Sequence, residues 1–279
     1  MSKKTATLVV LLALLVVLII VCLYLKNGQK NTEETSSSEA SQTVDELTDD
    51  ASLTTDETSS SPSDKPKFNI TPKAISEKYV FDGDTLIFNS INCPIFDEVE
   101  GYNIEKINSY LKDYCENYVK ISSSDKSVAK EDYEAAILDG FDFEPYEKAS
   151  DYTFYINETT ASIKFEAFEQ SGGADSDNYI FALCFDLVTG ERLTFGDFSG
   201  MTEDEANEYM YNAFKKLISE NQENFFDDAL NLLPNIIDEY SYYLTADGAN
   251  LFLNSSVLSP NAFGTQKIVI PYSEISTSR

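Results

Sequence analysis

The side chains able to do chemistry in this chain are carboxylates and thiols, because its 279 residues include no histidine. Ser-His-Asp and Cys-His nucleophile arrangements are thereby excluded, and so are zinc hydrolase sites built on imidazole. What is left is carboxylate chemistry, in which two acids divide the work of proton donor and base. Asp82 with Asp84 and Asp139 with Asp142 are closely spaced, but among 48 acidic residues such pairs arise by chance, and neither is singled out as an acid/base couple. Asp175-Ser176-Asp177-Asn178 gathers oxygen donors suited to a hard cation, without the Gly and terminal Glu of an EF-hand loop. The expectation is therefore no metal and no cofactor. The 171–178 stretch is still the candidate ligand-binding segment, through Gly172, Gly173, Asp175, Asp177 and Asn178. It is polar, contains glycine and lies between two predicted strands, where binding residues gather. The plainer reading of the same stretch is an exposed hairpin connection.

Four cysteines, Cys22, Cys93, Cys115 and Cys184, include no C-x-x-C spacing from which a metal knuckle could be built. Cys115 falls on the apolar face of a predicted helix and Cys184 within an apolar strand, so both read as small buried hydrophobes. A Cys93–Cys115 bridge joining strand to helix is the alternative.

The elements that must position these groups follow an α+β pattern. After the Asp82-Gly83 turn, Thr85–Phe96 is β-branched and aromatic, hence a strand. Asn103 is placed to cap a helix whose apolar residues Ile104, Ile107, Leu111, Cys115 and Tyr118 recur at three and four. Residues 122–148 are poorly patterned, with a short helix expected over Lys130–Leu138. Tyr152–Ile156, Ala161–Phe168 and Tyr179–Val188 read as strands with turns at Asn157-Glu158 and Thr189-Gly190, a spacing that favours antiparallel pairing. Thr202 and Glu205 form a capping box ahead of a stripe made by Ala206, Tyr209, Ala213, Phe214, Leu217 and Ile218. A shorter helix over Phe226–Ile237 must be kinked or divided by Pro234. Strands flank Asp247-Gly248, and Lys267–Pro271 closes the domain.

Outside the domain, Thr5–Leu25 is continuously apolar and uncharged. At about 1.5 Å per residue it reaches roughly the 30 Å of a hydrocarbon core, which predicts a transmembrane anchor. A cleaved signal would have a shorter apolar run and a small-x-small site, and a lipoprotein reading of Cys22 meets Val21 where a small residue is wanted. Lys3 and Lys4 oppose Lys26 and Lys30, so the positive-inside bias is nearly balanced; the acidic long side places the C-terminal part outside the cell. Residues 26–66 are rich in Ser, Thr, Asp and Glu and cannot bury enough apolar surface to order themselves, which makes them a linker. The expected organisation is a cytoplasmic stub at 1–4, an anchor at 5–25, a linker at 26–66 and two intimately packed subdomains at 67–198 and 199–279. The net charge of −28 excludes nucleic acid as a partner and favours a cationic one, although acidity also serves solubility.

The C-terminal stretch resembles the extracytoplasmic domain of RsiV-type lysozyme-sensing anti-sigma factors, a domain of unknown function that is also the non-catalytic part of PdaC-type peptidoglycan deacetylases. The resemblance rests on Asp247-Gly248, Phe252, Asn254, Pro260, Gly264 and Ile270-Pro271-Tyr272-Ser273. Upstream, Pro94 and Ile107-Asn108 resemble the companion deacetylase-associated domain, with Phe185-Asp186-Leu187, Thr189-Gly190 and Phe198 as a shared strand and its exit. Two family features are absent: Asp175-Ser176 stands where the family commonly has His-Gly after Gly172-Gly173-Ala174, and Ser255-Ser256 stands where it has Pro-Tyr. Only Met1–Lys4 precede the apolar run, so the resemblance implies the sensing module without a cytoplasmic anti-sigma domain, and without a catalytic deacetylase domain. The expected function is a membrane-anchored, non-catalytic, extracytoplasmic binding protein for lysozyme or a cell-wall component such as peptidoglycan. A carboxylate-dependent wall hydrolase and an assembly partner of another membrane protein are the alternatives.

Overall fold

The computed structural model describes residues 67–172, 176–236 and 241–275. The predicted anchor and linker lie outside them, and among the described residues no helix is long and apolar enough to cross a membrane.

Five strands form one sheet in the order β1 (Ile70–Phe81), β2 (Asp84–Phe96), β3 (Tyr146–Ile156), β4 (Thr160–Gln170) and β5 (Ser176–Asp186). All neighbours pair antiparallel except β2 and β3, which are parallel. This corrects the expectation of purely antiparallel sheets. A parallel pair needs a long crossover, here made of α1 (Ile104–Val119) and α2 (Ser123–Asp139). α2 is longer than the short helix expected because Ser122 and Asp125 form a capping box, and Gly140 ends it in the left-handed conformation. β1 escapes sequence reading because it is an edge strand, in which exposed Lys73 and Lys78 and the charged, half-buried Glu77 blur the apolar pattern.

α1 covers one face of the sheet as its periodicity predicts. Ile104, Ile107, Leu111 and Cys115 are fully buried against Ile91, Cys93, Ile163, Phe165 and Phe185. Each large apolar side chain so buried contributes roughly 1.5–3 kcal/mol. Asn103 occupies the N-cap position but makes no capping bond; its amide donates instead to the Thr189 carbonyl at 3.1 Å.

A second sheet, β6 (Ser241–Thr245), β7 (Gly248–Leu253) and β8 (Gln266–Pro271), is antiparallel throughout. Its core is completed by α3 (Phe195–Ser199) and α4 (Glu203–Glu220), the latter through Ala206, Met210, Phe214 and Ile218. The predicted Thr202–Glu205 capping box is present, and Thr194 with Asp197 caps α3 in the same way. Pro234 divides the next segment into α5 (Ala229–Leu232) and a 3₁₀ turn at Leu233–Asn235.

Part of the second sheet lies on the other face of the first. Ile180 and Ala182 of β5 pack against Tyr243 and Phe252, and Ser162 of β4 is the polar node of the contact. Its buried hydroxyl accepts the Leu244 amide at 2.8 Å and the Cys184 thiol at 3.3 Å.

Candidate functional site

Strand pairing sets out the side chains on the sheet face opposite α1 in rows. Asp151 pairs with Glu166 across β3 and β4, and Glu166 with Ile180 across β4 and β5. Ala149, Phe168 and Asn178 form the neighbouring row. Because side chains alternate between faces, each row points away from α1. The second sheet and the turn after β7 cover this face around Ser162, Ala182 and Ile180, and the part left open toward β2 and β3 forms a groove of about 620 Å³. Ser90, Asn92, Asp151, Glu166, Phe168 and Asn178 line it, with Gly264 and Thr265 at its rim.

The groove is acidic and rich in amide and hydroxyl groups, over a partly apolar floor of Phe168 and Ile180. The Asp151 carboxylate accepts the Tyr152 amide at 2.8 Å and the Asn92 amide at 3.4 Å. Glu166 pairs with Lys164 at 2.7 Å, and that ammonium also stands 5.5 Å from the centre of the Tyr243 ring. Both acids are held as acceptors, a state suited to receiving cationic or hydroxyl donors. Asp125 and Glu205 have carboxyls held below the usual range, in each case first by hydrogen bonding to Ser122 or Thr202 within a cap. That is the wrong direction for a general acid.

Of the residues singled out in the 171–178 stretch, Asn178 lines the groove. Asp177 accepts the Asn261 amide at 2.7 Å, tying β5 to the turn before β8. Ser176, Asp177 and Asn178 belong to β5, so the connection is shorter than expected. Gly172, at a positive φ of 53°, backs onto the Tyr146 ring. Gly173 and Asp175 lie outside the described residues, and among the described residues no group of acids and cysteines is arranged to hold a metal. Asp84 of the spaced pairs takes the Tyr133 hydroxyl at 2.7 Å, a packing contact under α2. Sequence reasoning missed Asn92, Asp151 and Glu166. Their signal is a polar residue at every second strand position, which any solvated sheet face also produces.

Residues that carry the family resemblance have structural work here. Asn108 pairs with the backbone of Phe96 at the end of β2, its carboxamide accepting the amide at 2.9 Å and donating to the carbonyl at 2.8 Å. Asn254 treats Ile180 on β5 identically, at 2.9 and 2.8 Å. Each carboxamide stands in for a peptide group of an adjoining strand. Gly248 is required because a Cβ there would lie 2.1 Å from the Ile270 carbonyl oxygen of β8.

The solved structures similar to this chain include two DUF3298 proteins. One is a DUF3298 family member from Bacteroides fragilis, 18% identical, with a TM-score of 0.49 over 74% of this chain and 91% of its own. The other is from Pseudomonas aeruginosa, 12% identical, with a TM-score of 0.46 over 75% of this chain and 93% of its own. Both neighbours are DUF3298 proteins. No protein-family model matches the sequence, and no curated protein does.

Proposed function

We propose that this chain is a non-catalytic, extracytoplasmic binding protein, tethered by residues 5–25, whose groove receives a cationic protein such as lysozyme or a cell-wall glycan component. The observation that carries the reading is the row of Asp151 and Glu166 beside Asn92 and Asn178 on an uncovered sheet face. Ionised carboxylates and carboxamides at one surface receive ammonium, guanidinium or sugar hydroxyl groups, and the net charge of −28 steers a cation toward them. Titrating the full chain in detergent with lysozyme and with soluble peptidoglycan fragments tests this. Salt-sensitive binding weakened roughly tenfold by Asp151→Asn combined with Glu166→Gln is expected. Equal affinity of that variant and the parent for both ligands, or no binding to either, would remove the proposal.

The facing carboxylates also give the hydrolase alternative its one specific support, since paired acids on neighbouring strands are what such chemistry uses. Against it, both are engaged as acceptors, Asp151 by two amides and Glu166 by Lys164. Turnover of peptidoglycan fragments that disappears in Asp151→Asn would establish that alternative.

A further inference from the structure

β2 and α1 meet through the core of the five-stranded sheet, and each contributes one cysteine to the contact. Cys93 and Cys115 are both fully shielded from solvent, in one cluster with Leu111, Ile163 and Phe165. The Cys93 Sγ lies 3.5 Å from the carbonyl oxygen of Leu111, one helical turn before Cys115 on the same buried face. Each thiol acts on the other's ionisation, Cys115 drawing Cys93 below the ordinary range and Cys93, with burial, pushing Cys115 above it. The same strand and helix are already joined nearby by the Asn108 carboxamide at Phe96, so their register is set where the thiols meet. Cys184 provides the internal contrast: it is equally buried, but its partner is the Ser162 hydroxyl rather than a second thiol.

We infer that Cys93 and Cys115 are a disulfide-forming pair that closes as β2 and α1 pack, covalently locking the helix onto the sheet. The electron acceptor is a disulfide of the RSSR class, either a small molecule or an exchange protein. One thiolate attacks a sulfur of RSSR and expels RS⁻, leaving a mixed disulfide on the protein. The second thiolate then attacks the protein-bound sulfur of that mixed disulfide and expels the other RS⁻. Two S–S bonds break and two form, the pair loses two electrons, and its two protons leave with two RSH. Because the folded core shields both sulfurs, closure belongs to folding rather than to the finished domain.

The supply of oxidant rests on the extracytoplasmic placement proposed above; the pairing itself does not. The full chain, reduced and denatured, is refolded in detergent with a mixture of reduced and oxidised glutathione, trapped with N-ethylmaleimide under denaturing conditions and mapped by peptide mass. A Cys93–Cys115 linked species with maleimide on Cys184 is expected. Maleimide on both Cys93 and Cys115, or a link from either to Cys184, would overturn the inference. A dithiol reductant is expected to lower the melting temperature of the oxidised chain by roughly 5–10 °C and to leave a Cys93→Ala/Cys115→Ala variant unmoved; an equal response of both counts against the lock. If the variant does not fold, the mapping decides alone. Trapping in intact cells separates the two ideas: a pair that links in refolding but is found reduced in the envelope supports the pairing and overturns the placement.

Discussion

At the level of single residues, three buried or half-buried polar groups do more for this fold than their exposed acids. The Ser162 hydroxyl is the acceptor for the Leu244 amide, linking β4 to β6. Ser162→Ala would leave that amide buried without an acceptor, and a loss of about 1–3 kcal/mol is expected in chemical denaturation. Ser162→Thr, which keeps the hydroxyl, is expected to lose less. Asn108 and Asn254 were legible only as members of a resemblance, because nothing in a sequence marks an Asn whose carboxamide will complete a strand 12 or 74 positions away. Asn254→Leu removes both hydrogen bonds to Ile180 and is expected to cost about 1–3 kcal/mol, with amide exchange speeding up first at Ile180. The acids behave differently. Surface pairs such as Lys112 with Glu116 are exposed, at 56% and 54%, and contribute little.

At the level of elements, helices are where sequence and structure agree best. Helix periodicity is local, so the α1 and α4 stripes could be read directly, Met210 being the one buried α4 residue left out. The caps of α2 and α3 were missed because Asp rather than Glu or Gln occupies the third helical position. Thr202→Ala is expected to destabilise the protein by about 1 kcal/mol through α4. The Glu205 carboxyl is held below its usual range first by the Thr202 backbone amide and then by its hydroxyl, so the carboxylate half of the cap is complete above the ordinary carboxyl pKa and is lost as pH falls through the depressed one. The parent and Thr202→Ala should therefore draw closer in acid without converging, because the Thr202 hydroxyl still accepts the Glu205 amide when the carboxyl is protonated. Strands were less legible. β1 is an exposed edge, and the N-terminal part of β3, including its pairing with β2 at Tyr146–Ser150, depends on a partner far away in sequence.

At the level of the whole molecule, a chain with 17 Tyr and 18 Phe and no Trp builds much of its core from aromatic rings, and the buried tyrosines give stability a specific alkaline limit. Burial pushes the Tyr114 and Tyr146 hydroxyls up to about 12, against an ordinary value of 10.0, with the Asp132 hydrogen bond adding to burial at Tyr146. A pKa raised by folding contributes stability that is complete below pH 10 and is lost as pH rises through 12. Burial also pushes the Cys184 thiol from 9.0 to about 11, so its contribution begins to be lost lower. Melting temperatures measured from pH 8 to 12 are expected to fall from about pH 9 onward, with tyrosinate absorbance rising late and steeply on unfolding. A flat profile to pH 12 would contradict this account of the core.

Composition and short-range pattern determined the functional classes that lack of histidine excludes, the α+β class, the main helices and the turns at Asp82-Gly83 and Asp247-Gly248. These are properties of one residue or one helical turn, so they can be read without knowing what lies opposite. Only the tertiary structure decided that β2 and β3 run parallel, that Asp151 and Glu166 share a face with Asn92 and Asn178, and that Cys93 meets Cys115. Each of those facts depends on strand register or on a helix laid across a sheet. One shifted position in a strand would turn that strand's groove residues toward the core, and no local pattern of residues encodes that choice.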